Sequence, residues 1–559
     1  MSARRSAWGA AWILPAGVAL LVAGCSPERG PQTGSQTNWL KACQSDAECG
    51  DLVCLCGACT TSCNATAECG DLSGASCVAA DDVGAIALCA GDTPWRAGFC
   101  LPRCEGHECA EGTACVAGVC TPIHEPTATV TVDTSTQYQT LVGFGAGTVW
   151  LTDEIAEHPA SAALYDVMFA ESGFDVIRLV NRYDDHGTSD LTTSVEIMSA
   201  ATERLGARPT MLLNSSSPPA ALKASGDKVC SGNPDTCTLA RLPDGSFDYA
   251  GLAIQWRAVV EAYAAAGIEP DYISIQNDPD WVPPASINLD ACRFLATEGT
   301  ATVSVDGTDV EVEYPGYAEA LAAVREALAD LPSVPLITAP DTVGVESTVS
   351  FASQLDLGGV DAIAHHMYGT DPSAIDRDAL LALNDLGQRS GLPIFQTEMQ
   401  AEGLETAILM HEALSTIGAS AYLQNDFAES AVLPTPNPAA LIALNETDFT
   451  VQDPYYAMVH YARDTDPGWV RVTADADSED VLATAWLSPD EDALTVVLVN
   501  ANATGSVVEL DLGEDAPTAS HVTRTVFSGL ERMTELGELA PESIVSVPGH
   551  AIVTVAVQR

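Results

Sequence analysis

The stretch Tyr272-Ile273-Ser274-Ile275-Gln276-Asn277-Asp278-Pro279-Asp280-Trp281 changes character midway, from apolar and β-branched to polar, acidic and aromatic. Its first half reads as a strand, and Pro279 ends the strand because proline cannot donate to a β-ladder. Seven further short runs share this pattern: Leu141–Ala146, Asp175–Asn181, Pro209–Ser216, Pro335–Pro340, Ala362–Tyr368, Pro393–Met399 and Ala419–Asp426. Alanine-rich stretches of helical period separate them, among them Tyr249–Ala266 and Tyr317–Leu331. Strands alternating with amphipathic helices build a parallel sheet covered on both faces. Eight such units predict an α/β fold closed as a (β/α)8 TIM barrel over residues 139–452, rather than an open sheet. Most of these strands end in polar or aromatic residues, and in this fold the strand C-termini carry the chemistry.

Outward from the barrel the pattern changes on both sides. After Tyr455 the period falls to two, with alternating runs at Val481–Leu487, Ala493–Val499, Ser506–Leu512, His521–Phe527 and Ala551–Val557. These predict a β-sandwich over 453–559, joined by a first strand within 123–138. Upstream, residues 43–122 hold 14 of the 18 cysteines, and Cys43-x5-Cys49-Gly50-Asp51-Leu52 returns as Cys63-x5-Cys69-Gly70-Asp71-Leu72. An even, dense cysteine count in an exported segment predicts seven disulfides of undetermined connectivity. Cys56 and Cys59 have CxxC spacing, but no second matched pair follows at finger spacing, which argues against zinc. The segment has few large apolar residues, so disulfides must replace a core. It reads as a stalk or a module for an unidentified surface partner.

At the start of the chain, Arg4 and Arg5 precede an apolar run from Ala10 to Ala23. Residues 1–24 thus read as an export signal, too short to persist as a membrane span. Leu21-Val22-Ala23-Gly24-Cys25 resembles a bacterial lipobox. The resemblance implies cleavage before Cys25, lipidation of Cys25, anchoring by more than one acyl chain, and a polar tether over 25–42. Ser26 after the lipid site points to the outer membrane, so the expected location is the cell envelope or the outside.

The 559 residues carry 77 Asp and Glu against 23 Lys and Arg, a formal charge of −54, with only three lysines. No basic stripe is available to neutralise phosphates, which excludes nucleic acid as a partner. With 47% hydrophobic and 18% charged residues the chain is globular rather than disordered. Such acidity fits a saline setting or a generally acidic proteome.

Two strand ends carry the candidate chemistry. Asp278 follows the fourth strand, and Glu398 follows Ile394-Phe395-Gln396-Thr397 on the seventh. A barrel aims both across one mouth, and two facing carboxyls are what glycoside hydrolysis requires. Gln276-Asn277-Asp278-Pro279-Asp280-Trp281 resembles the acid/base strand of glycoside hydrolase family 30, and Gln396-Thr397-Glu398 its nucleophile strand. Further matches follow in order: Gln139-x3-Gly143-Phe144-Gly145-Ala146, Ser217-Pro218-Pro219 ahead of Lys223, Ala364-His365-His366-Met367-Tyr368, and Tyr455-Tyr456 with Asp466-Pro467-Gly468-Trp469. The similarity runs from about Val130 to Val557. It implies a barrel with an attached sandwich and a retaining mechanism on a β-linked polysaccharide of xylan or β-glucan type.

By that resemblance Glu398 is the nucleophile and Asp278 the acid/base. Asn277 bonds the sugar 2-hydroxyl, Tyr368 and Arg178 keep Glu398 ionised, and His366 lines the sugar pocket. Trp281 and Trp150 are candidate stacking platforms at the mouth. No cofactor and no metal is implied: His365 and His366 are adjacent on a strand and face opposite sides. No arginine stands in Asn425-Asp426-Phe427-Ala428-Glu429-Ser430 to grip a glucuronate branch, so a neutral glycan is expected.

The sequence departs from the family at two places. The family has glutamate where Asp278 stands, and losing a methylene withdraws the carboxyl by about 1.5 Å. That leaves open a compensated enzyme, a slow one, or a carbohydrate-binding surface lipoprotein with an impaired site; on sequence grounds Asp278→Glu would match or exceed the native residue. Ser216 falls where the family commonly places a tryptophan, removing one stacking face. Elsewhere, Cys230 and Cys237 flank a turn-rich loop and are expected to staple it, with Cys292 either pairing with one of them or remaining free.

Overall fold

The computed structural model describes residues 38–559 except 44–45, 56, 71, 73, 79–97, 105–108, 111, 117, 149–150, 185–186, 189, 231–232, 285, 288, 306–307, 432–436, 514–517, 530 and 540–542. The export signal, Cys25 with most of the tether, and Trp150 lie outside the described residues.

Eight parallel strands close into a barrel: β1 Gly143–Gly147, β2 Val176–Val180, β3 Thr210–Asn214, β4 Tyr272–Ser274, β5 Leu336–Thr342, β6 Ala362–His366, β7 Ile394–Glu398 and β8 Ala419–Gln424. Each of the eight sequence-predicted runs contains or overlaps one of them. Pairing of Ala421 with Gly143 closes the ring. Tight β1–β2 packing explains a glycine in the Gly-Phe-Gly motif, because a Cβ on Gly145 would fall 1.8 Å from the Val176 carbonyl oxygen.

Alternation along the strands divides the chemistry. On β2, Ile177 and Leu179 face outward and belong to the apolar cluster that also holds Trp256 and Val260 of the helix Tyr249–Ala265. Val176, Leu212, Ala362, Phe395, Ala421 and Leu423 form a separate apolar floor inside the barrel. One step further along, the inward positions turn polar: Arg178, Asn214, Ser274 and His366, all buried.

Two register shifts shape that polar layer. Pro340 pairs with Ala364 and Thr342 with His365, which leaves Asp341 as an extra residue on β5. His365 pairs with Gln396 and His366 with Glu398, which skips Thr397 on β7. Such bulges re-aim side chains at sheet ends. Here the two skipped residues meet, Thr397 Oγ1 donating to Asp341 Oδ1 at 2.5 Å.

A nine-stranded sheet forms the second unit, including Ala128–Thr140 from before the barrel and Val470–Ala476, Leu482–Leu487, Ala493–Asn500, Ser506–Asp511, Ala519–Val526 and Ala551–Gln558 from after it. Its two faces have different partners. Val553, Val555 and Val557 enter the sheet's own core, whereas Ile552 joins the barrel core and Thr554 bonds His460 at 2.9 Å. The helix Asp453–Ala462, which carries His460, lies between barrel and sheet. After this helix, the sheet's first strand is Val470–Ala476.

In the cysteine-rich region six disulfides are described, pairing Cys43–Cys54, Cys49–Cys59, Cys63–Cys77, Cys69–Cys100, Cys104–Cys115 and Cys109–Cys120. They form three interlaced pairs of pairs, one more copy than the sequence repeat displays. Cys56 and Cys89 lie outside the described residues. The accompanying apolar cluster is small, built on Ala58, Val78, Phe99, Leu101 and Val119.

Candidate active site

The ends of β2, β4, β6, β7 and β8 converge on a cavity of about 370 Å³, lined by Arg178, Asn214, Ser216, Asn277, Asp278, Trp281, Leu289, Asp290, Tyr368, Glu398, Gln400 and Asn425 among others. Oxygen atoms of Asp278 and Glu398 and a ring nitrogen of His366 all lie within 4.8 Å of one another. The two candidate carboxyls thus meet in one place.

Glu398 accepts three hydrogen bonds. Arg178 Nη1 donates to Oε2 at 2.5 Å, while the Tyr368 hydroxyl and Asn425 Nδ2 donate to Oε1 at 3.0 and 3.1 Å. Burial pushes this carboxyl up, but the charges of His366 and Arg178 outweigh it and hold Glu398 below its ordinary value. For Tyr368, burial and then the Glu398 charge raise the phenol, so it remains a donor.

Asp278 is placed differently. Its backbone is left-handed, φ +48°, and its N–H donates to the Asp341 carbonyl at 3.0 Å. Asn277 Nδ2 donates to Asp278 Oδ2 at 2.8 Å, and His366 Nδ1 stands 3.0 Å from Oδ1. Burial dominates here; His366 opposes it only in part, and the carboxyl is pushed up to about 6. The pair therefore presents one acid and one carboxylate at mildly acidic pH.

Beneath the carboxyls lies a residue that sequence reading missed. Asp341 is fully buried and touches Arg178 at 3.4 Å, Ser274 Oγ at 2.8 Å, Thr397 Oγ1 at 2.5 Å and His366 Nε2 at 3.3 Å. Burial would raise its carboxyl, yet Arg178 and His366 hold it well below the usual range. Burial would likewise lower His366, but Glu398, Asp278 and Asp341 raise it to about 10. A protonated imidazole and a guanidinium already balance the Glu398 and Asp341 carboxylates while Asp278 holds its proton. An added cation would have to displace the His366 proton and approach Arg178.

Of the sequence candidates, Asp278, Glu398, Asn277, Arg178, Tyr368 and Trp281 all line the cavity. His366 does not: its side chain is 0% exposed, wedged under Asp278 by its contacts with Asp278 and Asp341. Its place in the sugar pocket is thus corrected to a place below the acid. Trp150 lies outside the described residues, as does the lipidation candidate Cys25. Asp280 is turned away, its Oδ1 accepting from the Val343 N–H at 3.1 Å. Ser216 does line the cavity.

One wall comes from a short strand pair, Val229–Cys230 with Leu289–Asp290, stapled by Cys230–Cys237. Cys292 is free and buried. Lys223 is buried against Ser217 Oγ at 3.3 Å and the Ala291 carbonyl, tying the loop after β3 to this wall.

Solved structures share this architecture of a closed (β/α)8 barrel with an attached sheet. The catalytic domain of a family 30 xylanase C from Talaromyces cellulolyticus superposes with a TM-score of 0.59 at 19% identity, covering 77% of this chain and 100% of that one. A family 30 subfamily 8 xylanase from Clostridium acetobutylicum gives 0.57 at 18%, with the same coverage of 77% and 100%. An endo-β1,6-glucanase gives 0.55 at 14%, covering 77% and 94%. No protein-family model matches the chain, and no curated protein matches it. The chain has the fold of the family 30 glycoside hydrolases.

Proposed function

We propose that this protein is a retaining glycoside hydrolase of family 30 type that cleaves a neutral β-linked polysaccharide. The observation that carries the reading is the approach of Asp278 and Glu398 to within 4.8 Å with opposite electrostatics. Retaining enzymes keep their carboxyls about 5–5.5 Å apart, and inverting ones about 6.5–9.5 Å to admit a water. Glu398, ionised and aimed by Arg178, Tyr368 and Asn425, attacks the anomeric carbon. Asp278 delivers its proton to the departing glycosidic oxygen, leaving a glycosyl ester on Glu398. Asp278, now a carboxylate, takes a proton from the incoming water, and the ester is hydrolysed with the original anomeric configuration. Asn277 contacts the sugar beside the acid, and Trp281 offers an aromatic face.

The substrate class is supported by the kinds of protein sharing the fold, which include xylanases and a β1,6-glucanase. Reducing-sugar release from a panel of β-xylans and β-glucans tests the reading, with Glu398→Gln as the blank. Wild-type release well above the blank is expected, with the β-anomer first in proton NMR. Equal wild-type and blank rates, with glycan binding retained, would favour a carbohydrate-binding lipoprotein instead.

Export and lipid anchoring through Cys25 belong to the same proposal, placing the enzyme in the cell envelope with its cysteine-rich module as a spacer or partner-binding arm. The disulfides support an oxidising compartment. Labelling with a fatty acid, lost in Cys25→Ser, tests the anchor.

A further inference from the structure

We propose that His366, anchored by Asp341, is a positioning residue that aims the short Asp278 carboxyl at the glycosidic oxygen. The proposal deepens the hydrolase reading and rests on it.

Asp278 has one methylene between backbone and carboxyl, so its reach is set almost entirely by where its backbone is held. Asp341 holds it twice. The Asp341 carbonyl accepts the Asp278 N–H at 3.0 Å, which fixes the left-handed turn that points the side chain inward. The Asp341 carboxylate also stands 3.3 Å from His366 Nε2, and His366 Nδ1 stands 3.0 Å from Asp278 Oδ1. Asp341 is itself fixed by Ser274 Oγ at 2.8 Å and Thr397 Oγ1 at 2.5 Å, side chains on β4 and β7. One buried aspartate thus sets both the backbone and the side chain of the acid.

His366 cannot touch substrate, because it is fully buried and absent from the cavity wall. Its effect must pass through its neighbours. The titratable and charged groups facing it are Asp278 from the β4 end, Asp341 from β5, Glu398 from β7, Arg178 from β2, and His365 and Tyr368 beside it in sequence. His366 Nδ1 stands against Oδ1 of Asp278 and Asn277 Nδ2 donates to Oδ2, so the two neighbours together fix the plane of the carboxyl. Burial of an imidazolium among carboxylates also keeps both catalytic carboxyls lower than burial alone would leave them.

The test is His366→Gln assayed on two substrates. On the natural polysaccharide, whose leaving group needs a proton, kcat should fall about a hundredfold with KM little changed, the size expected from misplacing a catalytic group by about 1 Å. On a 4-nitrophenyl β-glycoside, whose leaving group departs unassisted, the fall in the glycosylation step should be under about fivefold. Both limbs of the pH profile of kcat/KM should move to higher pH, because the lost cation had been lowering Glu398 and Asp278. An equal loss on both substrates with unmoved limbs would assign His366 a merely structural role and overturn the proposal. Asp341→Asn, which keeps the size of the anchor, gives the second reading if the glutamine variant does not fold: the same substrate-selective loss supports the proposal, and an equal loss overturns it. A wild type no faster than Glu398→Gln on every glycan would sink the hydrolase reading, and this inference with it.

Discussion

The β4 end and the β7 end of the barrel mouth each present one buried carboxyl, and they differ in what surrounds it. Glu398 on β7 accepts from Arg178, Tyr368 and Asn425. Asp278 after β4 is approached by one amide, from Asn277, and by His366. Burial disfavours the charged form of both carboxyls. Enough donors and cations reverse the penalty at β7, whereas at β4 the penalty wins. The difference in partners therefore sets the two carboxyls apart, in the sense that the proposed nucleophile and acid require. That two like groups are driven apart is the pattern by which acid and base roles are assigned in hydrolases.

Removing the acid makes the largest break in this asymmetry. Asp278→Asn should lower kcat on polysaccharide by about 10²–10⁴, the usual contribution of general acid catalysis. Glycosylation by an activated aryl glycoside should suffer much less. Equal losses of kcat/KM, which reports glycosylation, on the two substrates would remove Asp278 from the acid role.

Lengthening the acid is the next test. Sequence alone favours Asp278→Glu as neutral or improving, but the structure reverses that expectation. The aspartate carboxyl already lies within 4.8 Å of Glu398 and against His366. An added bond of about 1.5 Å forces it out of that contact, and a loss of about ten- to a hundredfold in kcat is expected. Turnover at or above wild type would mean that the pocket is not built around the shorter side chain.

Smaller effects probe the β7 side. Tyr368→Phe removes one of three donors to Glu398 and should cost about tenfold in kcat/KM, since a hydrogen bond to a charged group contributes about 1.5–3 kcal/mol. Its acid limb should move upward, because Glu398 loses a partner of its charged form. In the wild type, the free-enzyme profile of kcat/KM should fall as pH rises past about 6, where Asp278 loses the proton it must deliver. A profile flat to pH 8 would contradict that assignment.

Much of this site is legible in the sequence because the residues that line the cavity sit at strand ends, where an apolar run breaks into polar residues. Asp278, Glu398, Asn277, Arg178 and Tyr368 follow that rule, and the eight barrel strands follow from their alternation with helices. Asp341 does not. Its strand read as ending at Pro340, and the register shift that turns its side chain inward depends on the neighbouring strand. The sequence reading puts His366 in the pocket wall, but beside the bulge on β7 Glu398 lines the cavity and His366 does not. The Leu289–Asp290 wall was hidden because its partner, Val229–Cys230, lies far away in sequence. In the attached sheet, Val470–Ala476 alternates apolar Val470, Val472, Ala474 and Ala476 with polar Arg471, Thr473 and Asp475, a period-two signal that the sequence reading leaves unused.

The central claim is that Glu398 takes the sugar while Asp278 supplies the proton. Incubation with a 2-deoxy-2-fluoro β-glycoside bearing a good leaving group slows release of the glycosyl intermediate and allows its position to be read by peptide mass spectrometry. A single added sugar mass on the peptide containing Glu398, retained in Asp278→Asn and absent in Glu398→Gln, is the expected result. An active enzyme that carries no such adduct, or carries it on another residue, would contradict the account.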